Sequence, residues 1–213
     1  AGKGAGMSTV LPLATQCAFL GLSHSPLLGL STLPEPVDRR LRDALARTAA
    51  AVREWSPDLI VLVAPDHYNN FFHELMPPFC LGAEAEAIGD YGTPAGPLRV
   101  AEAEALALGE FLADSGFDVA VSRRMRVDHG FVQALQLLWG GLETPPVIPL
   151  FLNAVGRPAV PRPLRCVQLG EAIGRFLGAK AGRVLAIGSG GLSHEPPLPS
   201  IDSSDPRVRE RVT

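Results

Sequence analysis

The sequence is poor in cysteine, in charge of one sign and in long apolar runs, and each shortage closes off a class of protein. Three cysteines, Cys17, Cys80 and Cys166, stand far apart. An odd number without a CxxC pair supplies neither a disulfide framework nor a zinc finger, so they read as small buried hydrophobes in a reducing cytoplasm. Nineteen Lys and Arg against 22 Asp and Glu give a formal net charge of -3. With no basic run and no basic–aromatic interleaving, nucleic acid is excluded as a partner. No apolar stretch approaches the roughly 20 residues that cross a bilayer. No Gly-x-Ser-x-Gly elbow and no HExxH helix is present, which argues against an α/β hydrolase and a helical zinc site.

What remains is a chain of 213 residues, 46% of them hydrophobic, enough for one sizeable core. Residues 1–7, "AGKGAGM", read as an expression remnant and a start at Met7, so the domain is expected over residues 8–213. Aliphatic runs alternate with helical stripes. Strands are expected at Cys17–Leu22, 58–65, 118–122, 147–152 and 183–187. Pro149 points to an edge strand or a bulge for the fourth of these. Helices are expected where Val37, Leu41, Leu45, Thr48 and Val52 share a face, over 101–113, after Gly130, and where Leu169, Ala172, Ile173, Phe176 and Leu177 share a face. Residues 66–97, rich in proline, phenylalanine and glycine, read as one long loop. No composition break divides the chain. The alternation predicts an α/β domain, helices covering both faces of a mostly parallel or mixed sheet, with its active site at the strand carboxyl ends. The segment "SSDPRVRERVT" opens like a helix, with Ser203 or Ser204 as cap, and the domain is expected to continue beyond Thr213.

Five histidines are present, and four share a context: each follows a predicted strand. His24 follows the first, His67 follows "VLVAPD", His129 follows "VAVSRRMRVD", and His194 follows "LAIGSGGLS". Singly, each could be a hydrogen-bonded loop histidine, and Asp128 could simply cap a helix with His129 exposed. Glycine-rich "GSGGLSH" could be a turn or an anion nest. His73 has no strand before it and reads as a surface or packing residue. Jointly, four loops delivering four imidazoles to one sheet edge point to a shared site. Imidazoles without thiolates suit Fe(II), Zn(II) or Mn(II), and two histidines with one carboxylate on Fe(II) leave room for a bidentate ligand and dioxygen. The other two could move protons.

The segments "LSHSPL", "APDHYN.FF..MPPFCLG..A.AIGD.G", "VDHGF", "LGEAIGRF" and "GSGGLSHEPP" together resemble the class III (LigB-type) extradiol catechol dioxygenases, from about Phe19 onward. The resemblance implies a LigB-like α/β/α fold and opening of a catechol ring by O2 at a non-haem Fe(II). His24 and His67 match the two histidine ligands. His129 and His194 match the acid–base pair, with His129 expected as base, His194 as acid and Asp128 orienting His129. The family's third ligand is a glutamate in its C-terminal part. No segment here matches it, which places it beyond Thr213. The implied substrates are catechols such as 2,3-dihydroxyphenylpropionate, in aromatic catabolism, with neither nucleic acid nor membrane as partner. Family members commonly form homo-oligomers, and one is expected here, in the cytoplasm. The alternatives are an extradiol enzyme for another catechol, a LigB-like metal-binding protein without dioxygenase activity, and a zinc hydrolase. An oxygen-dependent yellow product separates these.

Overall fold

The structure, a computed structural model, describes residues 17–25, 28, 32–72, 74–155, 158–179 and 182–191. The aliphatic runs form the strands of one six-stranded sheet. These are β1 (Cys17–Ser23), β2 (Leu59–Ala64), β3 (Phe79–Gly82), β6 (Ala120–Ser122), β8 (Val147–Leu152) and β9 (Val184–Gly190), in the order β1-β9-β2-β8-β3-β6. All neighbours run parallel except β3 and β8. The sheet is therefore mixed, and the α/β expectation holds.

Among the described residues four helices cover it: α1 (Glu35–Trp55), α2 (Glu102–Asp114), α3 (His129–Trp139) and α4 (Pro163–Gly178). On one face Ala49, Val52 and Trp55 of α1 and Phe131, Leu135 and Leu138 of α3 pack on Ile60, Leu62, Leu185 and Ile187. On the other, Leu108 and Leu112 of α2 and Leu169, Ala172 and Leu177 of α4 pack on Val61, Ile148, Leu150 and Val184. Successive strand residues point to opposite faces, so a run such as "LIVLV" feeds both cores at once. Each large aliphatic side chain removed from water in this way contributes roughly 1.5–3 kcal/mol before the cost of ordering the chain. No helix among the described residues is long and apolar enough to cross a membrane.

Two sequence expectations need correction. Pro149 sits in β8, a central strand, opposite Leu62 of β2. Val147 donates its N–H to Arg99, away from β2, and two residues on the Pro149 nitrogen faces the same side. Pairing with β3 has ended by then, its last partner being Leu150, so the missing N–H leaves no gap in the ladder. The supposed loop 66–97 also contains structure: β3, β4 (Ala85–Ile88), a 3-10 turn at Asp90–Gly92, and β5 (Ala95–Pro97). With β7 (Met125–Val127), these make a second, three-stranded sheet ordered β5-β4-β7. Strands of three or four residues are too short for a period to show.

Candidate active site

Three histidines reach one place from two sheets. In the large sheet, β1 and β9 run parallel with Leu22 opposite Ser189, so His24, next after β1, lies beside the end of β9. Its Nδ1 is 2.9 Å from Ser189 Oγ. That hydroxyl donates its one hydrogen to the Gly130 carbonyl at 2.5 Å. Towards His24 it can only accept, so Nδ1 carries the ring proton and the neutral ring keeps its lone pair on Nε2. The next residue is clamped by Gln133, buried on α3: the Ser25 N–H donates to Gln133 Oε1 at 2.7 Å, and Gln133 Nε2 donates to the Ser25 carbonyl at 2.9 Å.

His67 follows β2 in a turn built around Asp66. The buried Asp66 carboxylate accepts the backbone N–H groups of Asn69, Asn70 and Phe71 at 3.1–3.2 Å. Burial raises its carboxyl above the usual range against the pull of those donors. His67 gives both its backbone N–H, at 2.8 Å, and its Nδ1–H, at 3.0 Å, to Asp128 Oδ2. Asn69 Nδ2 donates to the same oxygen at 2.9 Å. The other oxygen, Oδ1, caps α3 by accepting the Gly130 N–H at 2.9 Å. Asp128 is fully buried. Burial pushes its carboxyl up, but the hydrogen bond and charge of His67, the Asn69 amide and the His67 backbone N–H together bring it down to about 2. It stays a carboxylate, and with Nδ1–H given to it a neutral His67 ring presents its lone pair at Nε2.

His129 comes from the small sheet. There β4 and β7 run parallel with Ala87 opposite Val127, so both chains leave at the same edge. Asp90, just past β4, thereby meets His129, just past β7, with Oδ2 at 2.5 Å from Nδ1. The Asp90 carbonyl and Oδ1 are held by Thr93 Oγ1 at 2.7 and 3.3 Å. His129 is 2% exposed, and its Nε2 is buried without a hydrogen-bond partner among the described residues. The turn that presents Asp90 is strained: Tyr91 has φ 47° between Gly89 and Gly92, both at φ 77°. Tyr68, beside His67, has φ 59°. These are the chain's only two tyrosines, and bulky residues rarely hold such angles; strained positions of this kind cluster at functional sites.

The rings converge. His67 and His129 stack at 4.3 Å between centroids, and His24 stands edge-on to them at 5.2 and 5.6 Å. Gly130 permits this approach, because a Cβ there would lie 2.8 Å from the Pro65 carbonyl and 3.2 Å from His67 Cε1. Ligand atoms of all three histidines lie within 4.8 Å of one another, and Asp90, Asp128 and His129 form a second such group. Each imidazole is anchored at Nδ1 by an oxygen acceptor, the arrangement that orients metal-ligating histidines. Nitrogen and carboxylate donors without thiolate fit a borderline divalent ion. A cavity of about 720 Å³ opens at the same edge, bounded by Gly21, Ser23, His67, Leu152, Ser189 and Gly190 and mainly apolar. That is room for a small aromatic ligand.

Of the residues expected from the sequence, His24, His67, Asp128 and His129 are brought together. His194 and His73 lie outside the described residues. Asp128 differs from expectation in its partner: it holds His67, and the acid on His129 is Asp90. Asp90, Ser189 and Gln133 were not singled out by sequence reasoning. Asp90 and Ser189 did lie inside the quoted "AIGD.G" and "GSGGLSH" segments, but nothing in either segment shows what each would face.

Residues 18–211 match the family model described as the catalytic LigB subunit of aromatic ring-opening dioxygenase. The chain is 59% identical over 197 residues to a protein of Comamonas testosteroni named 2,3-dihydroxyphenylpropionate/2,3-dihydroxicinnamic acid 1,2-dioxygenase, covering 92% of this chain and 61% of that one. It is 48% identical over 195 residues to a Rhodococcus protein of the same name, covering 92% and 62%. A Pseudomonas putida protein of that name, numbered 2, is 49% identical over 191 residues, covering 90% and 60%. The chain thus spans about three-fifths of the length of these relatives.

Proposed function

The chain belongs to the family of the catalytic LigB subunit of aromatic ring-opening dioxygenases, and from that premise we propose that it opens the ring of a catechol such as 2,3-dihydroxyphenylpropionate beside the diol, with O2, to a hydroxy-oxo-dienedioate. The observation that carries this reading is the convergence of His24, His67 and His129, each fixed at Nδ1 and so presenting Nε2 as lone-pair donor. The names of the relatives support the substrate class.

In this reading Fe(II) is the cofactor, and when bound it would supply open coordination positions for a catechol and dioxygen and a path for electrons from the catechol to O2. His24 and His67 hold it through Nε2. Asp128 orients His67 and fixes its tautomer, and Ser189 does the same for His24. His129 accepts a phenolic proton at Nε2, while Asp90 stabilises the imidazolium that forms through its bond at Nδ1. His194 returns a proton as acid. The apolar cavity wall keeps competing water from the reacting ring. Residues 8–213 belong to one LigB-like catalytic domain, working in a cytoplasmic homo-oligomer.

The clustering also favours a second reading, in which His129 is itself a ligand. The function is tested by reconstituting the protein anaerobically with Fe(II) and admitting air with 2,3-dihydroxyphenylpropionate. A yellow dienoate that needs oxygen and disappears in His67→Ala is the expected result. Iron bound without product from this or simpler catechols would leave a LigB-like metal-binding protein and overturn the proposal.

A further inference from the structure

We propose that Tyr91 is a substrate-contacting residue, its ring forming the wall of the catechol site on the outer side of His129; the inference rests on the ring-opening reading above. It starts from a backbone that has no local reason to be as it is. Tyr91 holds φ 47° and ψ 33°, where a Cβ crowds its own backbone and glycine fits freely. The turn uses glycine on either side of the Asp90–Tyr91 pair, at Gly89 and Gly92. A third glycine would make the same turn without strain. A tyrosine is there instead, so its side chain must supply something that the turn does not need.

Burial does not supply it, because Tyr91 remains 57% exposed. What the ring does touch is the reactive imidazole, standing edge-on to His129 with centroids 4.9 Å apart at 78°. The backbone beneath it is immobilised: Asp90 is tied to His129 on one side and to Thr93 on the other. The ring is therefore fixed against the base and still open to an incoming molecule. Flat aromatic surfaces prefer offset or edge-to-face neighbours at 4.5–7 Å. A catechol that approached His129 on the face away from the His67 ring would meet the Tyr91 ring there. Strain held at such a point is what a preorganised contact requires.

The test uses the full-length protein loaded with Fe(II), titrated anaerobically with 2,3-dihydroxyphenylpropionate, and the metal-free protein melted in parallel. Tyr91→Gly is expected to raise Kd about tenfold, the loss of one well-placed aromatic contact. Its melting temperature should stay within a few degrees of wild type, because glycine relieves the strain. Tyr91→Phe should restore binding. Tyr91→Asn, which also tolerates the left-handed backbone, should bind as weakly as the glycine variant. Unchanged Kd with reduced kcat would mean that the ring only props His129, and would overturn the inference. So would a weaker Kd that follows a collapse in melting temperature in both the glycine and asparagine variants. The two readings fail separately. A wild type that binds the catechol but never opens it sinks the ring-opening reading, while a Kd rise in Tyr91→Gly would still uphold the contact. A wild type that binds no catechol sinks both.

Discussion

In the large sheet, His24 and His67 stand after strands of seven and six residues whose neighbours are locked by parallel pairing and two packed cores. In the small sheet, Asp90 and the Asp128–His129 pair stand after strands of four and three residues, and the turn at Asp90 holds a non-glycine at positive φ. The first arrangement suits ligands whose separation must not change. The second suits a base and its carboxylate, whose alignment is set by one short register. Asp128 joins the two: it leaves the small sheet yet holds His67 of the large one. A division of labour between sheets therefore predicts different failures from similar substitutions.

The largest expected effect is at the small sheet. Asp90→Asn replaces the carboxylate on His129 with an amide that can present its donor to Nδ1 and force the wrong tautomer. Turnover should fall by roughly 10²–10³-fold with iron content unchanged, read by single-turnover kinetics and metal analysis. Loss of iron in this variant would break the division. Asp128→Asn should do the reverse. It keeps a cap on α3 but loses the acceptor that fixes His67, so metal affinity should drop about 10–100-fold, read by competition with a chelator. Equal metal affinity in the two variants would erase the distinction.

A smaller effect tests the tie between the sheets. Gln133→Leu removes both hydrogen bonds to the Ser25 backbone and should cost about 1–3 kcal/mol in chemical denaturation, together with weaker metal binding through His24. Unchanged metal affinity would show that Gln133 stabilises the fold without positioning the ligand. The smallest effect is none at all. Burial pushes the Cys80 thiol up to about 12, so at pH 8 almost no thiolate exists and iodoacetamide should leave Cys80 unmodified in the folded protein. Alkylation before unfolding would show that the β3 region opens more readily than its packing implies.

The same contrast explains what could be seen in the sequence. "DLIVLVAP" announces its strand because an aliphatic run covered on both faces is self-evident, and its exit locates His67, as the exit of the Cys17–Leu22 strand locates His24. Asp128 stood out through its neighbour His129, although its partner did not. Asp90 was hidden in an apparent loop. Its meeting with His129 depends on the pairing of β4 with β7, whose few residues carry no period. Ser189 and Gln133 act through hydrogen bonds to residues 165 and 108 positions away, and no local pattern encodes such a distance. Pro149 misled because a proline is excluded from a ladder only where its nitrogen must donate, and β8 turns that nitrogen to the side where pairing has stopped.

The central claim is that His24 and His67 hold the metal while His129 moves the proton. Its most direct test is Fe(II) stoichiometry, measured anaerobically on His67→Ala and His129→Ala beside the wild type. The account predicts that His67→Ala binds little or no iron, and that His129→Ala binds it fully but does not turn over. Iron lost from His129→Ala to the same extent as from His67→Ala would contradict it, and would make the three clustered imidazoles a single ligand set.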